Sequence, residues 1–358
     1  MAKLNVCIFG AGEIGTALAA TLSRNDGFAV KVVDPSEDAL DRIRKRNLDV
    51  KLQLVNGADG ARATLSDQDI AVAAVPEAAV KDVALAALAA DVHYLDFTCP
   101  TDAVRAALAQ LAERRAVFSG CGVSPGLVGN IACSLLSAFS PITDLTIRVG
   151  ANPIVPTNRL GYGQIWNLDG LISEYTKPSA AIRDGQVTWI ESLEGLERLT
   201  IDGVTYEGFT TAGGLGDLSI FGEKLPRNVT FKTIRYPGHL DYMRFLLDDL
   251  GLRHRRDMLR SLLANGLPVI EDDTLLLVLT ARGLRGRQPI EKTVHHRFSA
   301  SSTFGAFNAL TSVAVGYAAT LLSLLLDDRV PSTGLIAHHR LDTSALISSP
   351  YLGPLMRT

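Results

Sequence analysis

The sequence predicts an α/β protein: a doubly wound parallel sheet, with a second, inserted α+β domain built on a mixed sheet. Three observations carry this. Short apolar runs alternate with helical patterns over the first 130 residues. A glycine-rich turn joins the first run to the first helix. Beyond residue 142 the pattern changes to alternating strands, few helices and many Gly/Pro turns.

In order, strands are expected at Leu4–Phe9, Phe28–Val33, Val50–Val55, Ile70–Val75, His93–Phe97 and Ala116–Ser119. Continuous apolar runs of this length suit strands covered on both faces. Between the first two, Ile14, Ala17, Leu18, Thr21 and Leu22 fall on one helical face. Ser36 and Thr101 stand where helix caps are needed. A further helix is expected over Gly126–Phe139, and Thr274–Thr280 with Lys292–Ser299 read as an antiparallel pair around Gly-Leu-Arg-Gly-Arg. The chain divides on this reading into residues 1–130, 131–300 and 301–358, the last a helical segment returning to the first part.

At 358 residues the chain suits two domains. The 35 basic and 38 acidic residues give a net charge of −3, which supplies no general attraction to nucleic acid or to an anionic membrane. Four cysteines (Cys7, Cys99, Cys121, Cys133) without CxxC spacing suit thiols in a reducing compartment. The start reads as a strand of the mature protein, so the expected location is cytoplasmic. Phe298 to Leu326 carries no charge, yet its nine Ser, Thr and Asn residues suit a buried helix better than a membrane span. The doublets His295-His296 and His338-His339 are adjacent in sequence, and if the first lies in a strand its two rings face opposite sides, which argues against joint metal ligation. No metal is expected.

Gly10-Ala11-Gly12-Glu13-Ile14-Gly15 is GxGxxG, following a strand and opening a helix. Gly10 permits the tight turn, Gly12 admits a pyrophosphate, and Gly15 lets the helix approach the strand. The helix start then offers free N–H groups to phosphate. Asp34 closes the second strand, 24 residues past Gly10 and near the expected ~20. Together these predict a Rossmann domain binding a nicotinamide dinucleotide. Asp34 accepts from ribose hydroxyls and repels a 2′-phosphate, and Pro35-Ser36 follows it in place of an arginine. NAD is therefore expected over NADP. Asp59, Val75, Pro76, Phe97 and Thr98 complete the expected cofactor contacts, since ligands sit beyond the carboxyl ends of parallel strands.

Four further segments stand out: Tyr94-Leu95-Asp96-Phe97-Thr98, Gly120-Cys121-Gly122-Val123-Ser124-Pro125-Gly126-Leu127, Leu171-Ile172-Ser173-Glu174-Tyr175, and Lys232-Thr233-Ile234-Arg235-Tyr236-Pro237-Gly238-His239. With Phe209-Thr210-Thr211-Ala212-Gly213-Gly214, they make the chain resemble the saccharopine dehydrogenase (saccharopine reductase) family, and within it the L-lysine 6-dehydrogenase-like branch. The resemblance implies a Rossmann domain, a mixed-sheet domain for substrate and dimerisation, and redox chemistry at a carbon–nitrogen bond of an amino acid or opine-like compound. It also implies a homodimer. Val123-Ser124 stands where the family often carries an acidic residue before Pro-Gly, which leaves the substrate open. A deaminating L-lysine 6-dehydrogenase, a carboxynorspermidine-type reductase and a non-catalytic NAD-sensing protein are the alternatives.

Elementary chemistry agrees with a C–N oxidoreductase. Hydride leaves a carbon bearing an amine only when the nitrogen lone pair can push, and an ammonium of pKa ~10.4 must first lose a proton. His239, Asp96 and Lys232 are the candidate catalytic groups. An unperturbed His239 titrates near neutrality, Asp96 closes the fifth strand, and Lys232, within eight residues of His239, can pair with a carboxylate. Arg235 suits a two-point grip on a carboxylate. Glu174, Tyr175 and Cys121 complete the expected substrate contacts.

Overall fold

The computed structural model describes residues 3–214, 216, 218–300 and 307–357. In chain order its elements begin β1 (Leu4–Phe9), α1 (Glu13–Leu22), β2 (Phe28–Asp34), α2 (Glu37–Arg44), β3 (Lys51–Leu54), α3 (Gly57–Ala63), β4 (Ile70–Ala73), α4 (Glu77–Ala90), β5 (His93–Asp96), α5 (Asp102–Ala112), β6 (Ala116–Phe118) and α6 (Leu127–Leu136). They continue with β7 (Ile142–Pro153), α7 (Leu168–Thr176), β8 (Ser179–Arg183), β9 (Gln186–Ile190), β10 (Glu197–Ile201), β11 (Val204–Thr210) and β12 (Asn228–Arg235). Last come α8 (His239–Arg244), α9 (Arg256–Gly266), β13 (Asp273–Arg285), β14 (Gln288–Ser299), α10 (Ala309–Leu326), β15 (Gly334–Leu335), α11 (Thr343–Ile347) and β16 (Met356–Arg357).

Contacts divide the described chain into two units, one of residues 3–127 and 311–354, the other of 128–300, 307–310 and 355–357. The first unit is a parallel sheet in the order β15-β6-β5-β4-β1-β2-β3. The order reverses between β1 and β4, so a crevice opens beyond the carboxyl ends of those strands, where the glycine loop lies. Cys7, Phe9, Ala71, Ala73, Tyr94 and Val117 form one core layer with α4 and α5. β3 departs from the expected buried run. It is an edge strand with three of four residues exposed, because no strand among the described residues pairs beyond it.

Two expectations at helix ends have different outcomes. Ser36 accepts from the Ala39 amide at 3.3 Å, as a cap should. Thr101 precedes α5 but makes no side-chain cap bond. The uncharged stretch contains α10, long and apolar enough to cross a membrane, with mean hydropathy 1.9 and 78% of it buried. Its residues Val313, Tyr317, Ala318, Leu321 and Leu322 belong to the core of the first unit. Residues 301–306 of that stretch lie outside the described ones.

The second unit is a nine-stranded mixed sheet, β10-β11-β12-β7-β13-β14-β16 with β8 and β9 attached through β12. β12 and β7 run parallel, and β13 is antiparallel to both β7 and β14. β13 and β14 are longer than the sequence suggests and pair from Thr274↔Ser299 to Arg285↔Gln288. The turn is only Gly286-Arg287, with Gly286 at φ +63°, the left-handed value that a two-residue hairpin turn requires.

Candidate active site

In the first unit the loop after β1 has the geometry its glycines suggest. Gly10 has φ +103°, and a Cβ there would lie 2.2 Å from the Ala74 carbonyl oxygen. A Cβ on Gly15 would lie 1.9 Å from the Gly10 carbonyl oxygen. Gly12 differs: among the described residues a Cβ would meet nothing within 4 Å, so the backbone there borders open space. Gly12 is the residue before α1 and supplies no side-chain cap, leaving the first-turn amides to a ligand.

Asp34 is tied to this loop. One carboxylate oxygen accepts from the Ala11 amide at 2.7 Å, the other from the Ser36 amide at 2.8 Å. Each oxygen retains a lone pair for a ribose hydroxyl. Val75, Pro76, Phe97 and Thr98 are half-buried beyond β4 and β5. The Thr98 hydroxyl oxygen is buried and meets no hydrogen-bond partner among the described residues. A buried hydroxyl without a partner at a strand's carboxyl end suits a polar ligand atom. Asp59 lies in α3, and its side chain is outside the described ones. Open space at Gly12, an N-terminus of α1 without a side-chain cap, the Asp34 lone pairs and the Thr98 hydroxyl all fit a dinucleotide.

Asp96 and Cys121 come together in the same unit, both fully buried. The Asp96 carboxylate accepts from the Gly120 amide at 2.8 Å and from the Ser119 and Tyr94 hydroxyls, each at 3.1 Å. Burial pushes this carboxyl up to about 6. The Cys121 amide donates to the Asp96 carbonyl at 2.8 Å. Burial, and then Asp96, push the Cys121 thiol well up, so it is no activated thiolate. Asp96 thus shapes the loop after β6.

The second unit gathers Glu174, Tyr175, Arg235 and His239 on one face of its sheet. The hydrogen bonds among them have fixed directions. His239 Nδ1 lies 2.8 Å from the Leu160 carbonyl oxygen, which only accepts, so Nδ1 donates. Nε2 must then accept, and its partner is the Tyr175 hydroxyl at 3.0 Å. The Tyr175 oxygen in turn accepts from Arg235 Nε at 3.0 Å. Arg235 Nη1 donates to the Ile234 carbonyl at 3.0 Å, and the guanidinium lies over the Tyr162 ring, 4.4 Å from its centroid.

Glu174 completes the cluster. One of its oxygens accepts from the Thr233 hydroxyl, which also meets Thr211, and the other lies 3.9 Å from Arg235 Nη2. His239 is fully buried and Arg235 3% exposed, whereas 14% of the Glu174 side chain is exposed. Burial, and then Arg235, hold the His239 imidazole down to about 3. At neutral pH it is an uncharged, singly oriented ring.

Lys232 is not brought to this cluster. It alternates with Thr233 along β12 and so lies on the opposite sheet face. There its Nζ donates to the Gly195 carbonyl at 2.6 Å and lies 3.4 Å from Glu197, which also pairs with Arg148. Sequence reasoning missed Tyr162, Thr211 and the role of Thr233. The contacts that tie them to the cluster, Thr211 with Thr233, Thr233 with Glu174 and Tyr162 with Arg235, span 22 to 73 residues, and the Gly161-Tyr162-Gly163 triplet is a local sign of the last. It also missed His338, whose Nε2 donates to the Ser119 carbonyl at 2.8 Å while Nδ1 accepts from Tyr317.

Two comparisons meet this geometry. Residues 6–118 match the family described as "Saccharopine dehydrogenase NADP binding domain". Residues 122–358 match "Saccharopine dehydrogenase C-terminal domain". The chain belongs to the saccharopine dehydrogenase family. A solved structure of saccharopine dehydrogenase (L-Glu forming) from Saccharomyces cerevisiae superposes with a TM-score of 0.80 over 99% of both chains, at 14% identity. A saccharopine dehydrogenase fold therefore carries the whole chain. Looser likenesses include a myo-inositol dehydrogenase from Corynebacterium glutamicum (TM-score 0.45, 14% identity, 96% of this chain and 93% of that one). Another is a probable dehydrogenase from Thermotoga maritima (TM-score 0.48, 11% identity, 96% and 94%). The saccharopine dehydrogenase family makes this chain an oxidoreductase with a nicotinamide cofactor.

Proposed function

We propose that this saccharopine dehydrogenase family member oxidises or reduces the CH–NH or CH–NH2 group of a lysine-derived amino acid or opine-like compound. The observation that carries this reading is Glu174: a carboxylate steadied by Thr233 on one oxygen, faced by Arg235 on the other, and the most exposed member of its cluster. A C–N oxidoreductase needs one group to hold the substrate ammonium and pass on its proton, and the outermost carboxylate of the cluster, held in place by Thr233, is the group placed to meet the substrate. Arg235 fixes Glu174, Tyr175 fixes Arg235, and His239, locked by Leu160, fixes Tyr175. The bound nicotinamide supplies hydride transfer.

NAD is favoured by Asp34, whose carboxylate is fixed at the end of β2 and is followed in the chain by Pro35-Ser36 rather than by an arginine to receive a 2′-phosphate. The matched family's description names NADP, and Asp34 argues the other way. A homodimer, on the resemblance, and a cytoplasmic location, on four free thiols, complete the proposal.

One observation favours a second reading, a non-catalytic nicotinamide-sensing protein. Asp96, Arg235 and His239 are 0–3% exposed, and their polar atoms meet internal partners. Turnover separates the two. Reduced-nicotinamide absorbance is followed with NADH and NADPH against a panel of amino acids, with and without 2-oxoacids. Turnover of an amine-bearing substrate, faster with NAD(H), is the expected result. Binding of dinucleotide with no turnover anywhere on the panel would support the sensor and overturn the enzyme. Faster turnover with NADP(H) would overturn the role given to Asp34.

A further inference from the structure

α1 begins at Glu13, so a carboxylate stands in the first turn, beside the amides a pyrophosphate needs. An anion at a helix start is favourable to the helix, but it repels a second anion seeking the same donors. The direction in which Glu13 points therefore matters for cofactor affinity. The structure fixes that direction. Glu13 Oε1 accepts from the Thr311 hydroxyl at 2.7 Å. Thr311 is 3% exposed and sits in the first turn of α10. That turn is itself held, because the Asp273 carboxylate accepts from the Ala309 and Leu310 amides. A threonine on a fixed turn, with its hydroxyl buried, gives Glu13 a partner in one defined place.

We propose that Thr311 is a positioning residue for the dinucleotide: its hydroxyl draws the Glu13 carboxylate onto α10 and so keeps it off the first-turn amides of α1. This rests on the reading that the glycine loop binds a nicotinamide dinucleotide. Removing the hydroxyl loosens the hold of α10 on the charge, which then competes with the pyrophosphate. Removing the charge makes the hydroxyl irrelevant.

The test is a double-mutant cycle on the full chain, read as the Kd for NADH and NADPH by calorimetry, with Tm recorded for each variant. Thr311→Val is expected to weaken the preferred dinucleotide by about 3- to 10-fold. Thr311→Ser, which keeps the hydroxyl, should bind like wild type. In a Glu13→Gln background, Thr311→Val should change affinity by less than about 2-fold. Thr311→Ala removes the same hydroxyl where valine disturbs folding. Wild-type affinity in both hydroxyl-deleted variants would overturn the proposal. So would an equal loss with and without the Glu13 charge, which is what a purely structural role gives. Wild type binding neither dinucleotide would instead overturn the cofactor reading, and the proposal with it.

Discussion

At the glycine loop the groups that matter are the first-turn amides of α1, which Gly12 does not cap with a side chain, beside open space at Gly12. Around Arg235 the guanidinium, phenol and imidazole already have partners, and only Glu174 is turned outward. The first region is a receptor: helix geometry leaves donors that an anion must complete. The second is a scaffold in which three buried groups determine where one carboxylate stands. The difference teaches that the residue types most suggestive of chemistry, Arg and His, are the ones held deepest inside. The group proposed to act is the one they support.

The sharpest way to break this contrast is Glu174→Gln. If Glu174 handles the substrate proton, kcat/KM falls by roughly 10²–10⁴ while folding is kept, since Thr233 retains an acceptor. Steady-state kinetics beside thermal unfolding decide it. Near-wild-type turnover would return Glu174 to the scaffold.

Arg235→Lys should act on stability as well as rate. An ammonium cannot replace both the Nε bond to Tyr175 and the Nη1 bond to the Ile234 carbonyl. A loss of roughly 2–4 kcal/mol is expected in chemical denaturation, from buried acceptors left without donors. An unchanged denaturation midpoint would show that the cluster is looser than its hydrogen bonds imply.

A third effect is gradual, one of pH. His239 is held down to about 3 in the folded chain, against about 6.5 when unfolded. Between these values the unfolded state binds a proton that the folded state refuses. Its contribution is therefore complete above about pH 6.5 and is lost as pH falls towards 3, by at most about 1.4 kcal/mol per pH unit. Asp96 and Asp273, both pushed up to about 6 by burial, act in the opposite sense between about 4 and 6. The variant His239→Gln isolates the histidine: its stability deficit against wild type should shrink steadily as pH falls below about 6.5. A deficit independent of pH would remove the buried neutral ring from the account.

Much of the first unit was legible in the sequence because its motif dictates backbone. GxGxxG after an apolar run leaves a single arrangement of strand, turn and helix, and the expected strands lie within one or two residues of β1, β2, β4, β5 and β6. Asp34 was legible for the same reason, since it closes the next strand. The second site was legible as a set of residues but not as a mechanism. Glu174-Tyr175 and Arg235–His239 are found together, yet burial, bond direction and the face each side chain takes arise from pairings of β12 with β7 and β11. Lys232 shows this most clearly: three residues from Arg235 in sequence, it faces the other side of the sheet. Thr311 left no signal, because a threonine in an uncharged helix gives no hint of a carboxylate 298 residues away.

The central claim is that the open space at Gly12 is where a nicotinamide dinucleotide binds, and Gly12→Val tests it most directly. Gly12 has φ −73° and ψ −167°, backbone any residue adopts, and an added side chain starts in empty space. Thermal unfolding without cofactor should therefore match wild type, while the Kd for the preferred dinucleotide, measured by calorimetry, should rise by on the order of 100-fold. Equal affinity of Gly12→Val and wild type would contradict the account.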